Sequence, residues 1–121
     1  MEIHFKGTNY ELPSSVSRYA QRKIGSLKKY VKKSEEVVQV YVELEKETHS
    51  QAAGRIWRAE INFDLDGKLF RAVATEDAIE KAIDESVAEL ARAVRTTQEK
   101  KQDLARRGGA TIKSLLRGFS S

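Results

Sequence analysis

Residues 57–75, WRAEINFDLDGKLFRAVAT, hold two segments of strand-like sequence on either side of an Asp-Gly pair. In the first segment, apolar residues recur at every second position, which is the period of a strand with one buried face. These residues are Trp57, Ala59, Ile61, Phe63 and Leu65. Asp66-Gly67 favours a tight hairpin turn, because both central positions of such a turn need positive φ. Residues 68–75 supply the next strand, but their pattern does not decide which of its residues face the core.

Two further strands are predicted before this hairpin. Residues 2–8 (EIHFKGT) place Ile3 and Phe5 on one side and His4 and Lys6 on the other. From Val37 the period is again two, with apolar residues at 38, 40, 42 and 44. Residues 46–54 are polar and small, which is typical of a loop. The chain therefore contains four predicted strands.

Two helices complete the pattern. The first is predicted from Pro13-Ser14-Ser15 to about Lys33, because proline is tolerated in a first turn and serine caps free amides. Its apolar stripe consists of Val16, Ala20, Ile24, Leu27 and Val31. The second helix is predicted to begin after a cap at Thr75 or Asp77 and to run to about Arg107, where Gly108-Gly109 should stop it. Its stripe consists of Ile79, Ile83, Val87, Leu90 and Val94.

The order of elements is β-α-β-β-β-α, which indicates an α+β fold with two helices packed on one face of a four-stranded, mainly antiparallel sheet. The predicted second helix is longer than such a sheet, so its C-terminal end should overhang the core. We expect a single domain over residues 1–107 and a short C-terminal tail over residues 108–121. The tail has helically spaced apolar residues, and it is either an interaction segment or a stretch that is disordered or folds back onto its own domain.

Positive charge is concentrated at the two ends of the chain. With both histidines neutral, residues 1–33 carry eight Lys/Arg and two Glu, and residues 92–121 carry eight Lys/Arg and two acidic residues. Residues 34–91 carry six Lys/Arg against fourteen Asp/Glu. This segregation favours a polyanion-binding surface built from the two ends, and the alternative is that the charge serves solubility alone.

Catalytic chemistry finds little support in the residues. The chain has no cysteine, and its two histidines, His4 and His49, lie on a predicted strand and in a predicted loop. We expect no catalytic residues, no metal site and no cofactor, and the carboxylates of Asp64 and Asp66 are explained by the hairpin. The sequence has neither a membrane-spanning apolar run nor a signal-peptide pattern at its start, so we expect a cytoplasmic protein.

The basic residues give the clearer signal. Between Pro13 and Lys33 there are seven Lys/Arg and no acidic residue, whereas an ordinary solvated helix mixes the two signs. Helical spacing places Arg18, Arg22, Lys29, Lys32 and Lys33 opposite the apolar stripe of the first helix. On the second helix, Arg92 and Arg95 lie away from the stripe and are followed by Lys100, Lys101, Arg106 and Arg107. If the helices pack side by side, these cations form a positive surface suited to the phosphates of a folded RNA.

Two segments resemble the family of ribosome hibernation promoting factors and ribosome-associated inhibitors, also called sigma-54 modulation proteins, in its short form. They are IHFKGTNYELPSSVSRYAQRKIGSLKKY at residues 3–30 and EDAIEKAIDESVAELARAVR at residues 76–95. The resemblance covers roughly residues 1–100. Its matching positions are Lys23, Leu27, Lys29, Tyr30, Ala82-Ile83-Asp84, Leu90, Arg92 and Arg95.

The resemblance implies a domain similar in topology to double-stranded-RNA-binding domains. It also implies that the protein binds the small ribosomal subunit and its ribosomal RNA in the channel for messenger and transfer RNA, and so keeps ribosomes inactive. Lys23, Lys29, Arg92 and Arg95 are the contacts that the resemblance implies. Helical geometry adds Arg18, Arg22, Lys32, Lys33, Lys100 and Lys101. Neither a membrane nor a small-molecule substrate is expected.

Two other functions fit the same residues. A general double-stranded-RNA-binding protein would have the same topology and the same basic surface. A protein-interaction regulator would act through the open face of the sheet or through the apolar tail at residues 112–119. Transfer to free duplex RNA distinguishes the first of these, and deletion of the tail tests one version of the second.

Overall fold

Four strands and two helices follow one another in the predicted order. The computed structural model describes residues 1–31, 38–48, 54, 56–65 and 67–120, and their side chains as far as residue 106. The strands are β1 (Glu2–Thr8), β2 (Gln39–Lys46), β3 (Trp57–Leu65) and β4 (Lys68–Glu76). The helical elements are α1 (Ser14–Gly25), a 3₁₀ helix (Ser26–Tyr30) and α2 (Ile79–Ser120). The predicted β-α-β-β-β-α order is confirmed.

The four strands form one sheet in the order β1-β2-β3-β4. β1 pairs with β2 in parallel, and the pairs β2–β3 and β3–β4 are antiparallel, so the prediction of a mainly antiparallel sheet is confirmed. One row across the sheet joins Ile3, Val40, Phe63 and Phe70 on a single face. The sequence did not decide which residues of β4 face the core, and the structure shows that they are Phe70, Ala72 and Ala74.

Both helices cover this apolar face of the sheet, as predicted. The residues of α1 that reach the core are Val16, Ala20 and Ile24. Those of α2 are Ile79, Ala82, Ile83, Ser86, Val87, Leu90 and Val94. Ser86 is the polar member of this set, and its hydroxyl donates to the carbonyl of Ile83 at 2.9 Å, which satisfies it inside the helix. No helix in the described part of the chain has the length and apolarity needed to cross a bilayer.

The first helix ends as an α-helix earlier than the sequence predicts. It stops at Gly25 rather than near Lys33, and the chain continues as a 3₁₀ helix to Tyr30. Glycine lowers α-helix stability, and the hydroxyl of Ser26 bonds the carbonyl of Lys23 at 2.7 Å, which favours the tighter winding. Leu27 is fully buried at this point, so the core contact survives the change of winding.

The second helix runs further than predicted. It extends over 42 residues to Ser120, through Gly108 and Gly109, so the prediction that these two glycines stop it is wrong. Each glycine costs about 1 kcal/mol of helix stability but still makes the regular backbone hydrogen bonds, and a long helix already formed needs no new nucleus. At about 1.5 Å per residue α2 is about 63 Å long, so the predicted overhang is confirmed and exceeds the expected length.

Candidate nucleic-acid interface

The cations of α1 lie on two sides of the helix relative to the core. Arg18 and Arg22 are exposed, and 3.6 residues per turn place them opposite the buried stripe. Lys23 is partly buried on the flank that faces α2. The side chains of Arg22 and Lys23 both lie over the ring of Tyr19, at 5.3 and 5.5 Å from its centre. Tyr19 therefore groups two of the predicted cations at the junction between the helices.

The 3₁₀ helix carries two exposed lysines that point to different places. Lys28 borders Met1 and Val38, next to the edge strand β1. The ammonium of Lys29 lies 5.3 Å from the centre of the Tyr30 ring. Tyr30 in turn contacts α2 through its backbone, because the Nε2 group of Gln98 donates to the carbonyl of Tyr30 at 2.8 Å. Lys29, which the sequence singled out, is thus the lysine next to the contact with α2.

The cations of α2 do not all share one surface. Arg92 and Arg95 are exposed, and Arg95 lies one turn from Gln98, on the side that faces α1. Lys101 lines a small cavity with Leu65 and Phe70, toward the sheet. Helical spacing puts Lys100 on the far side of α2 from the residues that contact α1. Lys100 and Lys101 are therefore separated from the other predicted cations.

The carboxylate of Asp84 lies among these cations at the helix junction. The hydroxyl of Tyr19 donates to Oδ1 of Asp84 at 2.6 Å, and Nζ of Lys23 lies 3.7 Å from the same oxygen. The hydrogen bond to Asp84 raises the pKa of Tyr19, with burial as the next cause. Sequence reasoning matched Asp84 to the family pattern but gave it no role, and it did not single out Gln98.

We call the surface along the α1–α2 junction the helical face. Its cations are Arg18, Arg22, Lys23, Lys29, Arg92 and Arg95, and the carboxylate of Asp84 lies among them. Two further carboxylates border it: Glu80 adds to the rise in the pKa of Tyr19 that Asp84 mainly causes, and helical spacing puts Glu85 on the same outward side of α2 as Arg92. Beyond it, helical spacing puts Glu99 and Asp103 on the same outward side of α2 as Arg92. Before Gln98, α2 carries three Lys/Arg and four acidic residues, whereas residues 99–120 carry six Lys/Arg and two acidic residues. The contribution of α2 to the helical face is therefore Arg92 and Arg95 rather than an excess of positive charge along this part of the helix.

Other residues named above lie in three places. Lys32, Lys33 and His49 lie outside the described residues. Tyr19 and Tyr30 pack partly buried against the core, so both tyrosines edge the core. His4 lies on the other face of the sheet, where it stacks on Tyr41 at 4.9 Å and shares a 2.7 Å hydrogen bond with Gln39. In the described part of the chain, no three acidic or histidine side chains are grouped as a metal site would require.

The open face of the sheet has the opposite charge. Five carboxylates and three cations project from its strands: Glu2, Glu43, Glu45, Glu60, Asp64, Lys6, Arg58 and Arg71. Arg58 is largely buried among glutamates, at 3.2 Å from Glu60, 3.4 Å from Glu43 and 3.7 Å from Glu45. The guanidinium of Arg71 bonds Glu60 and holds the pKa of that carboxyl below its ordinary value. The described domain is therefore positive on its helices and negative on its sheet.

Three comparisons with known proteins bear on this arrangement. The family model described as sigma 54 modulation protein / S30EA ribosomal protein matches residues 3–102. The N-terminal domain of Protein Y from Thermus thermophilus is similar, with a TM-score of 0.63, 25% identity, and coverage of 78% of this chain and 94% of that one. A ribosomal subunit interface protein from Coxiella burnetii has the same fold, with a TM-score of 0.65, 13% identity, and coverage of 82% and 99%. No curated protein sequence matches the chain.

Proposed function

The chain belongs to the sigma 54 modulation protein / S30EA ribosomal protein family, and from this premise we propose that it is a ribosome hibernation factor. In this proposal, the helical face binds ribosomal RNA of the small subunit in the channel for messenger and transfer RNA. The bound protein occupies the space that both RNAs need, so the ribosome stays inactive. The mechanism is steric exclusion and uses no cofactor and no reaction step.

The observation that carries the proposal is the composition of the helical face. Its six cations outnumber the three carboxylates in or beside it, Asp84, Glu80 and Glu85, and they come from three helical elements that the core holds together. A surface of this kind is suited to phosphates, and it reads the shape of a folded RNA rather than a base sequence. One of the similar structures is that of a ribosomal subunit interface protein, which points the same way.

The charge of the sheet supports one orientation on the RNA. An RNA surface repels the carboxylates of the open sheet face and attracts the helical face, so long-range steering brings the helices forward. The sheet then faces away from the RNA. A protein with evenly mixed charge on both faces would have no such preference.

The test is sedimentation of the protein with intact ribosomes and with separated subunits. We expect retention on the small subunit, and loss of that retention in the triple variant Lys29→Glu, Arg92→Glu, Arg95→Glu. The matched control is Lys6→Glu, Lys46→Glu, Lys68→Glu, which makes the same change of net charge on the strands. A translation assay with the same proteins should show inhibition by the control variant and none by the first.

Two results would contradict the proposal. Equal loss of binding in both triple variants would mean that net charge rather than the helical face governs association. Full transfer of the protein to an excess of free duplex RNA would favour the general double-stranded-RNA-binding protein over a ribosome-specific one.

A further inference from the structure

Asp84 is negatively charged, although the surface in which it lies is proposed to bind phosphates. It lies in the helical face among six cations, and a carboxylate in a phosphate-binding surface repels the ligand. Its side chain is 47% exposed, so the core does not require it. Binding by charge alone would be stronger without it.

The contacts of Asp84 run across the junction between the two helices. Its Oδ1 atom, on α2, accepts the hydrogen bond of the Tyr19 hydroxyl at 2.6 Å and lies 3.7 Å from Nζ of Lys23, on α1. The Tyr19 ring lies beneath both Arg22 and Lys23. One carboxylate oxygen on α2 therefore fixes the side chain that supports two cations on α1.

A second contact ties the helical elements together further along. Gln98 donates to the carbonyl of Tyr30 at 2.8 Å, where the 3₁₀ helix ends next to Lys29. Gln98 lies fourteen positions after Asp84, which is about 21 Å along the helix axis. Two hydrogen bonds thus hold α1 and the 3₁₀ helix against α2 at widely spaced points, and the cations of the helical face lie around them.

We infer that Asp84 is a positioning residue for the helical face, and that its contact with Tyr19 and Lys23 fixes the spacing between the cations of α1 and those of α2. The inference rests on the proposed binding of ribosomal RNA. The phosphates of a folded RNA stand at fixed positions, so a surface that already has the matching spacing binds with less loss of entropy. The stabilisation of this arrangement outweighs the repulsion that the Asp84 charge adds.

For the loss of Asp84, the inference and simple electrostatics predict opposite changes in affinity for the small subunit. Replacing Asp84 by alanine removes a negative charge from the helical face, so electrostatics alone predicts tighter binding to the small subunit. We expect binding about three- to tenfold weaker in Asp84→Ala, because the Tyr19 hydroxyl and Lys23 lose their partner. The control is Asp64→Ala, which removes an exposed carboxylate from the open face of the sheet, and there we expect no weakening.

A second variant separates position from charge. Tyr19→Phe keeps the ring under Arg22 and Lys23 and keeps the net charge, but removes the hydrogen bond to Asp84. We expect weaker binding here as well, and little additional loss when Tyr19→Phe is combined with Asp84→Ala, because both changes remove the same contact.

The salt dependence of binding distinguishes a positioning role of Asp84 from a general loss of stability. We expect Asp84→Ala to reduce the slope of log Kd against log salt by about 0.7 to 0.9, the contribution of one phosphate contact, although the variant is more positive. Partial unfolding would lower the active fraction and leave the slope unchanged. Binding and slope equal to those of Asp64→Ala would overturn the inference alone. No binding by the unmodified protein at low salt would overturn the proposed function and the inference with it.

Discussion

Arg58 and Glu60 show how single residues organise the open face of the sheet. The guanidinium of Arg58 is 19% exposed and has four glutamates within 4.0 Å: Glu43, Glu45, Glu47 and Glu60. Glu60 accepts hydrogen bonds from Arg58 and from Arg71, on the neighbouring strand. Cross-strand charge pairs of this kind stabilise an antiparallel sheet modestly, and their partial burial adds to that.

The lowered pKa of Glu60 makes part of the stability depend on pH. Arg71 is the largest cause, and the folded state holds the Glu60 proton less tightly than the unfolded chain does. Its contribution is therefore present above the ordinary pKa of 4.5 and is lost as pH falls through the lower folded value. We expect Glu60→Gln to reduce the free energy of unfolding by about 1 kcal/mol at pH 7 and by less at pH 3.

Urea unfolding at the two pH values measures this difference. Glu2→Gln is the control, because Glu2 is an exposed carboxylate on the same face, and its change should stay below about 0.5 kcal/mol. The same loss of stability for Glu60→Gln at pH 7 and pH 3 would show that the pairing with Arg71 does not depend on the charge of Glu60.

At the scale of elements, strands were easier to predict than helix ends. The bounds of β3 follow from alternation alone, and Gly67 has the positive φ of 78° that the hairpin prediction needed. Helix ends depend on small differences in free energy, so Gly25 ended an α-helix that the pattern continued, whereas Gly108-Gly109 did not end α2. The apolar stripe of each helix was correct in both cases because the core fixes it.

The candidate site was also only partly predictable from the sequence. Helical spacing identified which side of each helix is basic, but the placement of Lys100 and Lys101 depends on where the sheet ends beneath α2. The contacts Tyr19–Asp84 and Tyr30–Gln98 join residues 65 and 68 positions apart. No local pattern pairs such residues, since the pairing depends on how the two helices pack.

The overhang of α2 leads to a prediction about its C-terminal third. Val94 is the last buried side chain of α2 among those described, and the side chains from Glu99 to Arg106 are exposed. Deleting residues 108–121 should therefore remove helix without removing core. We expect a smaller helical signal in circular dichroism and an unfolding midpoint within about 2 °C of the full chain.

A shorter variant provides the comparison. Ending the chain after Arg95 also removes Gln98, so its bond to the carbonyl of Tyr30 is lost and the midpoint should fall clearly. If the deletion of residues 108–121 lowers the midpoint as much, the terminal segment packs on the domain, and our expected division into residues 1–107 and a tail is wrong.

On the scale of the whole molecule, the decisive property is which cations share one surface. The helical face unites cations from α1, the 3₁₀ helix and α2, while the sheet on the opposite side is acidic. Lys100 and Lys101 belong to the same basic chain end as Arg92 and Arg95, but they project elsewhere from α2. Net charge does not distinguish these four residues, whereas the fold does.

Salt dependence can distinguish them. Each phosphate contact contributes about 0.7 to 0.9 to the slope of log affinity against log salt, so six contacts give a slope of about −4 to −5 for the small subunit. Alanine at Lys29, Arg92 or Arg95 should each make the slope shallower by one such step. Alanine at Lys100 or Lys101 should leave it unchanged, although it removes the same charge. Equal effects at all five positions would mean that the RNA follows α2 beyond the domain and that the overhang is part of the interface.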